Sequence, residues 1–386
     1  MSGSALSAAQ ELLPLIEKLR FETEENRAIA EPIVDELKRT RLARLALLEE
    51  NGGLQTPCVD ALEVFEVLAG AEASVGWVIW NNSLPCWYSR GLDPSIREEI
   101  FSDPHWWYGN STRPQGQATI SGDGYRVQGR WSLVSGCEQA QWSLLLCVVA
   151  DASGAPIMLD EQTPELRYLF VRKDQYTIVD TWHVHGLRGS GSHDVVVEDE
   201  FVPKAFSVLP DQAATVDHPF SRLPILCIVT AGLAAQNLGV AKKCLASAIE
   251  LCRTKVSPSF SADLRDRTRS QLGVAEYSAA LDAATAHLHL CVGEMWDKAV
   301  AKSAIDLTDM ARVYSASYYA IKQSQNAVST MYDIGSTSSI YNTSPLDRGQ
   351  RDMQVMGRHI CAQPMWAEDA GRVIFGLAPK VPMYDI

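Results

Sequence analysis

Apolar positions change their spacing twice along the chain. Up to about residue 103 they recur as on one side of a helix. Leu12, Leu13, Leu15, Ile16 and Leu19 mark a helix over 8–27. Pro32 opens the next at the early position proline favours, and Ile33, Leu37 and Leu42 continue its apolar face. Segments 57–70, 73–81 and 94–101 read as three more helices. From about 109 to 208 the spacing is strand-like. Gly122-Asp123-Gly124 signals a tight turn, after which Tyr125, Val127, Gly129, Trp131 and Leu133 fall on one face of a strand. Segment 141–150 is nearly all apolar, as in a buried strand, and 167–172, 177–182 and 194–197 complete an antiparallel sheet. Residues 208–220 read as a loop. Helical spacing returns at 223, with long Ala-rich helices over 231–252, 261–302 and 306–334. A break is expected inside the second, since helices beyond about 35 residues are unusual.

This order predicts an α+β protein. An N-terminal helical domain (1–112) precedes a β-sandwich or barrel (113–222) and a C-terminal four-helix bundle (223–386). No parallel βαβ pattern and no internal repeat is visible.

Composition narrows this little. A hydrophobic fraction of 46% and a charged fraction of 21% are ordinary for a soluble globular protein. The net charge of −13 argues against a nucleic-acid partner. The nine cysteines are scattered, odd in number and form no CxxC pair, which suits buried thiols in a reducing cytoplasm. The N-terminus shows no signal-peptide pattern. The most apolar run, 223–240, nears membrane-spanning length. Gln236, Asn237, three alanines and two glycines lighten it, so it reads as a core or interface helix.

Four stretches carry the chemistry: 73–77 (ASVGW), 124–136 (GYRVQGRWSLVSG), 182–203 (WHVHGLRGSGSHDVVVEDEFVP) and 334–359 (IGSTSSIYNTSPLDRGQRDMQVMGRH). In this order, over nearly the whole chain, they resemble the acyl-CoA dehydrogenase superfamily. The resemblance implies that fold and a flavin lying along the β domain. Trp131 would supply a flat apolar wall for the ring. Ser135, with backbone N–H groups beside Gly136, would bond its N5 edge. Ser190 and Ser192 sit among glycines that let backbone approach a ligand, or mark only a loop. Ser336, Thr337 and Ser338 offer donors at a helix end, or an ordinary turn. In the family this segment reaches a neighbouring subunit's flavin, which implies a homotetramer. Arg267 or Arg269 would reach a flavin phosphate across that contact.

A dehydrogenase needs a carboxylate to remove a proton beside a carbonyl. Residues 353–361, after Arg351-Asp352, contain none, and Glu368 and Asp369 lie too far along. His359 stands there instead. Together with Arg348, Arg351 and Asp352 it resembles the oxygenase components of two-component flavin monooxygenases acting on p-hydroxyphenylacetate, dibenzothiophene and indole-type substrates. That branch implies reduced FAD or FMN, with FAD preferred, supplied by a separate NAD(P)H:flavin reductase. One oxygen atom of O2 would pass from a flavin C4a-hydroperoxide to a small aromatic or heteroaromatic substrate. His359 would act as acid or base, or stabilise the peroxide. Asn110, after Trp106, Trp107 and Tyr108, would sit near the flavin edge or cap a turn. Some phenol-hydroxylating relatives carry a His after ASVGW; here Trp80, Asn81 or Asn82 would line the pocket. The alternatives are an acyl-CoA dehydrogenase-like enzyme with its base elsewhere, or a flavin-free binding protein of the same fold. No metal is expected: His183 and His185 lack a third ligand, and His287 and His289 point to different helix faces.

Overall fold

Short-range chemistry sets the helix ends. The Ser4 hydroxyl accepts from the Ser7 N–H at 3.2 Å to start α1 (Ala5–Asn26), and Arg27 ends it in the left-handed region. Pro32 sits in the first turn of α2 (Glu31–Thr40). Three more N-terminal helices follow: α3 (Cys58–Ala71), α4 (Ala73–Tyr88) and α5 (Pro94–Phe101). The computed structural model describes residues 4–255, 263–382 and 384.

The middle of the chain forms one seven-stranded sheet among the described residues. Its strands are β1 (Trp107–Ser121), β2 (Gly124–Val134), β3 (Ala140–Ala150), β4 (Leu166–Arg172), β5 (Thr177–Val179), β6 (His193–Pro203) and β7 (Ser207–Val208), ordered β5-β6-β2-β1-β3-β4-β7. The Gly122–Asp123 turn joins β1 and β2 as a hairpin, as the sequence implies. The sheet is mixed, because β1 and β3 run parallel while the other pairings are antiparallel. The chain leaves β2, passes the start of β1 and returns on its far side, so residues 135–139 form a crossover.

The alternation read along β2 stops at Trp131. A register shift separates Trp131 from Val134. Leu133 lies in the left-handed region (φ 63°) and is 43% exposed, while Val134 is buried. Trp131 itself is fully buried. Its indole N–H donates to the Leu146 carbonyl at 2.7 Å, and its ring covers Gly116, where a Cβ would overlap it.

Five helices close the fold: α6 (Ile225–Thr254), α7 (Thr268–Val300), α8 (Leu307–Gly335), α9 (Pro345–Met356) and α10 (Met365–Ile374). The apolar run 223–240 forms the first half of α6. That helix is long and apolar enough to cross a membrane, but its most apolar window is 78% buried inside the protein. It packs on α3, where Gly70 and Gly239 let the backbones meet, and on α7, α8 and α9. The helix read over 261–302 begins at Thr268; Ser261 and Ala262 lie outside the described residues. The expected break inside that segment falls near its start, where Leu264–Asp266 form one short turn and Arg267 is extended; from Thr268 the helix runs 33 residues. Gly273, the natural weak point, lies against Ile334 and Thr330, so contact with α8 supports the helix there.

One ionic cluster ties distant segments together. Arg348 on α9 approaches Glu24 of α1 at 3.1 Å and Glu72, before α4, at 3.8 Å. Arg351 pairs with Glu24 and Asp347 at 2.6 and 2.7 Å. Asp352 accepts the Leu187 N–H at 2.7 Å, holding the loop before β6. Burial raises the pKa of both Glu72 and Asp352. Glu72 charge raises Asp352 further, while Arg348 draws Glu72 back.

Two outcomes follow. Gly116→Ala should destabilise the protein by about 1–3 kcal/mol in urea denaturation, because the new Cβ must displace Trp131; an unchanged midpoint would contradict this packing. Asp352 binds its proton more tightly folded than unfolded. Its contribution is therefore most favourable below the unfolded carboxylate pKa near ~4 and is lost as pH rises towards the raised folded value. Asp352→Asn keeps an acceptor for Leu187 without the charge. Its stability relative to wild type should rise between pH 5 and 8, and a constant difference would refute the raised pKa.

Candidate active site between α4 and β2

Trp77 and Trp80, three residues apart on α4, fall on the same side of the helix. Their rings meet edge-to-face at 5.1 Å. The His359 ring stands against both, with centroids at 5.5 Å from Trp77 and 5.2 Å from Trp80, tilted 85° and 72°. His359 follows α9 and caps the turn Ile360–Ala362, its Nδ1 accepting the Cys361 N–H at 3.2 Å. An accepting Nδ1 places the proton of the neutral ring on Nε2. Burial against the indoles, and then the Arg113 guanidinium, push the imidazole pKa down to about 4. At neutral pH the ring is therefore uncharged and offers an N–H.

A chain of hydroxyls runs from this aromatic notch into the sheet. The Trp77 indole donates to Ser135 Oγ at 3.0 Å. Ser135 and Ser192 share a hydrogen bond of 2.8 Å, and Ser192 and Ser190 one of 2.7 Å. All three serines are buried. Three hydroxyl protons serve two bonds, so one proton is left for a further acceptor. The backbone beside Gly136 is not available as read from the sequence, because the Gly136 N–H already donates to the Ser190 carbonyl at 2.9 Å.

The asparagines divide. Asn110, on β1, donates to the Asn81 carbonyl at 2.8 Å and so joins the sheet to α4. Asn81 in turn donates to the Trp77 carbonyl. Asn82 is fully buried: it donates to the Val78 carbonyl and accepts the Tyr108 N–H. Trp80 anchors its indole N–H on the Val229 carbonyl at 3.2 Å.

Other residues lie elsewhere. Trp131, read as the flavin wall, is spent in the sheet interior; Leu133 is the apolar side chain that β2 exposes. Arg269 pairs with Asp333 at 2.8 Å, and Lys255 donates to Ser338 at 2.6 Å. With Ser336 and Thr337 they gather at the α8 end, and among the described residues none bonds to the Ser135–His359 cluster. Arg348, Arg351 and Asp352 act in the ionic cluster. No group of three or more His, Cys, Asp or Glu among the described residues could hold a metal.

Trp77 and Arg113 carry weight here that their positions in sequence did not announce. The i, i+3 spacing of Trp77 to Trp80 was the available signal. For Arg113 there was none, because its place depends on a bulge. The donor set fits the edge of a flavin ring, since a free hydroxyl proton and an exposed leucine suit a flat ligand with acceptor atoms at its rim.

Residues 231–364 match the family described as acyl-CoA dehydrogenase, C-terminal domain. The chain is 30% identical over 354 residues to the FADH(2)-dependent resorcinol hydroxylase, oxygenase component, of Rhizobium sp. (strain MTP-10005), covering 85% of this chain and 83% of that protein. It is 27% identical over 384 residues to indole-3-acetate monooxygenase of Pseudomonas putida, covering 98% and 96%. The crystal structure of 3-HSA hydroxylase from Rhodococcus sp. RHA1 is similar with a TM-score of 0.91 and 25% identity, over 99% of both chains. By sequence over most of its length, and by fold over nearly all of it, the chain belongs to the oxygenase components of two-component flavin-dependent monooxygenases, which share the acyl-CoA dehydrogenase fold.

Proposed function

We propose that this oxygenase component inserts one oxygen atom into a small electron-rich aromatic or heteroaromatic ring, indole-like or phenolic, bound against Trp80 and His359. The observation that carries this reading is a neutral histidine in an aromatic notch, with no carboxylate bonded to it among the described residues. Asp352 is held by the Leu187 N–H, Asp369 by the N–H groups of Lys380 and Val381, and Glu368 by Lys380. A dehydrogenase base has no candidate among these acids.

Reduced FAD or FMN, delivered by a separate reductase, supplies the electrons when bound. One atom of O2 enters the substrate, the other leaves as water and the flavin is oxidised. The chain's own groups bind and orient. Ser135 offers its hydroxyl to the ring edge, backed by Ser190 and Ser192, and Leu133 supplies apolar contact. Asn110 holds β1 to α4. His359 keeps a proton at Nε2 and donates it as a hydrogen bond to oxygen, since a pKa near 4 makes it a poor base at neutral pH. Arg269 and residues 336–338 act from a neighbouring subunit in a homotetramer. This is supported by the exposed Ile340 and Tyr341 beside them, 62% and 63% accessible. Nine buried cysteines in the free thiol form suit the cytoplasm.

With 18O2, indole or resorcinol and chemically reduced FMN or FAD, the product should carry one 18O atom. No labelled product with either flavin would overturn the function, and bleaching of bound oxidised flavin by an acyl-CoA would favour the dehydrogenase reading. His359→Gln should lower turnover by roughly 10²-fold. Because His359 is neutral above pH ~5, the wild-type rate should show no step near pH 6.5. A step there that His359→Gln removes would make the residue a base.

A further inference from the structure

A second histidine adjoins the serine chain. His193 directly follows Ser192, opens β6 and pairs with Val134 of β2, the residue before Ser135. The pairing of 193 with 134 therefore sets how Ser192 meets Ser135. The His193 ring is buried and ties three stretches together. Its Nδ1 accepts the N–H groups of both Thr181 and Trp182, each at 3.3 Å, from the segment after β5. Its Nε2 faces Glu138 Oε1 at 3.8 Å, in the crossover that Ser135 begins. Asp180, beside Thr181, is bound by Arg27 at the end of α1, and Arg27 also reaches the Trp182 carbonyl. Crossover, segment and strand start are the backbone that carries the three serines.

This arrangement suits one protonation state. The lone pair on Nδ1 serves two backbone donors, which leaves the proton of the neutral ring on Nε2. An imidazolium carries a proton on both nitrogens. Its Nδ1–H would oppose the Thr181 and Trp182 N–H groups, and both would lose their acceptor. Asp180 Oδ1 lies 3.4 Å from the same nitrogen and would draw the cation away from them, although Arg27 already engages it. The charges facing the ring are mixed. Asp180 and Glu138 favour the cation, while Arg27 and the exposed His183 oppose it. Asp194 is engaged by Arg130 and the Thr181 hydroxyl, and Lys173 by the Cys137 and Glu138 carbonyls. Burial is the largest influence and moves the titration below the usual 6.5.

We propose that His193 is a positioning residue: its neutral ring sets Ser192 against Ser135 and so holds the serine hydroxyls at the flavin edge, and its protonation releases them. This rests on the reading above that Ser135 meets the flavin. It adds that the contact is controlled from outside the aromatic notch.

Anaerobic equilibrium dialysis of reduced FMN between about pH 5 and pH 7.5 reads the contact without turnover, and 15N NMR of labelled histidine in the flavin-free protein reads the ring. His359 and Asp352 titrate outside this window, at about 4 and about 8. His193→Asn keeps an acceptor near the place of Nδ1 but takes no proton, and the ratio of wild type to this variant cancels the flavin's own titration. The two should bind within about twofold at the upper pH, and wild type should be weaker by about 3- to 10-fold at the lower. His193→Phe, a ring without an acceptor, should be weaker by a similar factor at both. His183→Gln should behave as wild type. The NMR signal should show the proton on Nε2 at neutral pH and a titration below 6.5. A ratio that does not change with pH, an acid loss that His183→Gln removes, or a neutral ring protonated at Nδ1 would each overturn the proposal and leave the oxygenase reading standing. Failure of wild type to bind reduced FMN or FAD at any pH would sink the flavin reading itself, and this inference with it.

Discussion

Two buried acids, Glu72 and Asp352, both hold protons more tightly than usual because they are buried, the charge of Glu72 adds to this at Asp352, and Arg348 approaches Glu72 to offset it. A buried charge without a partner costs several kcal/mol, so each member constrains the others. Glu72 starts α4, through the Ser74 N–H, and thereby sets the angle from which Trp77 and Trp80 project. Asp352 holds Leu187, whose loop delivers Ser190 and Ser192. The same helix, α9, ends four residues after Asp352 and hands the chain on to His359. Three segments that are remote in sequence meet at the site because one charge cluster registers them. Such a cluster adds little net stability against a well-packed apolar substitute; its contribution is to the choice of one geometry.

The groups that meet in the notch are themselves neutral, and the charge bearing on them is that of Arg113. Trp77 spends its indole proton on Ser135, Trp80 on a backbone carbonyl, and His359 uses Nδ1 on its own turn. What remains unspent is one hydroxyl proton of the serine chain and one imidazole proton. Both are neutral donors in apolar surroundings, where hydrogen bonds to developing negative charge are strongest. A carboxylate at His359 would have made the same pocket suitable for proton abstraction.

Much of this was legible in the sequence, for reasons that can be stated. Long periodic segments and the Gly122–Asp123 turn located the helices and the first hairpin. The missing acid between residues 353 and 361 separated the two branches of chemistry. Trp131 misled because alternation along a strand says which residues share a face, not which face meets a ligand; the bulge after it then moved Leu133 to the other side. Asn82 looked equivalent to Asn81, yet one step along a helix turned it into the core. The break expected within 261–302 falls at Arg267, and beyond it packing on α8 carries α7 past Gly273 in spite of local propensity. Arg113 was silent because an arginine in a bulge has no periodicity to betray it.

The close approach of Gly70 to Gly239 has a consequence for how the chain is made. Phe65 on α3 packs near Gly232 on α6, so the N-terminal helices are completed by a helix synthesised only after the entire sheet. Until then the face of α3 that meets α6 around Phe65 and Gly70 lacks its cover. The first third of the polypeptide is thus a unit in sequence but not in folding, and while it waits at the ribosome its apolar face is open to chaperones and to other nascent chains.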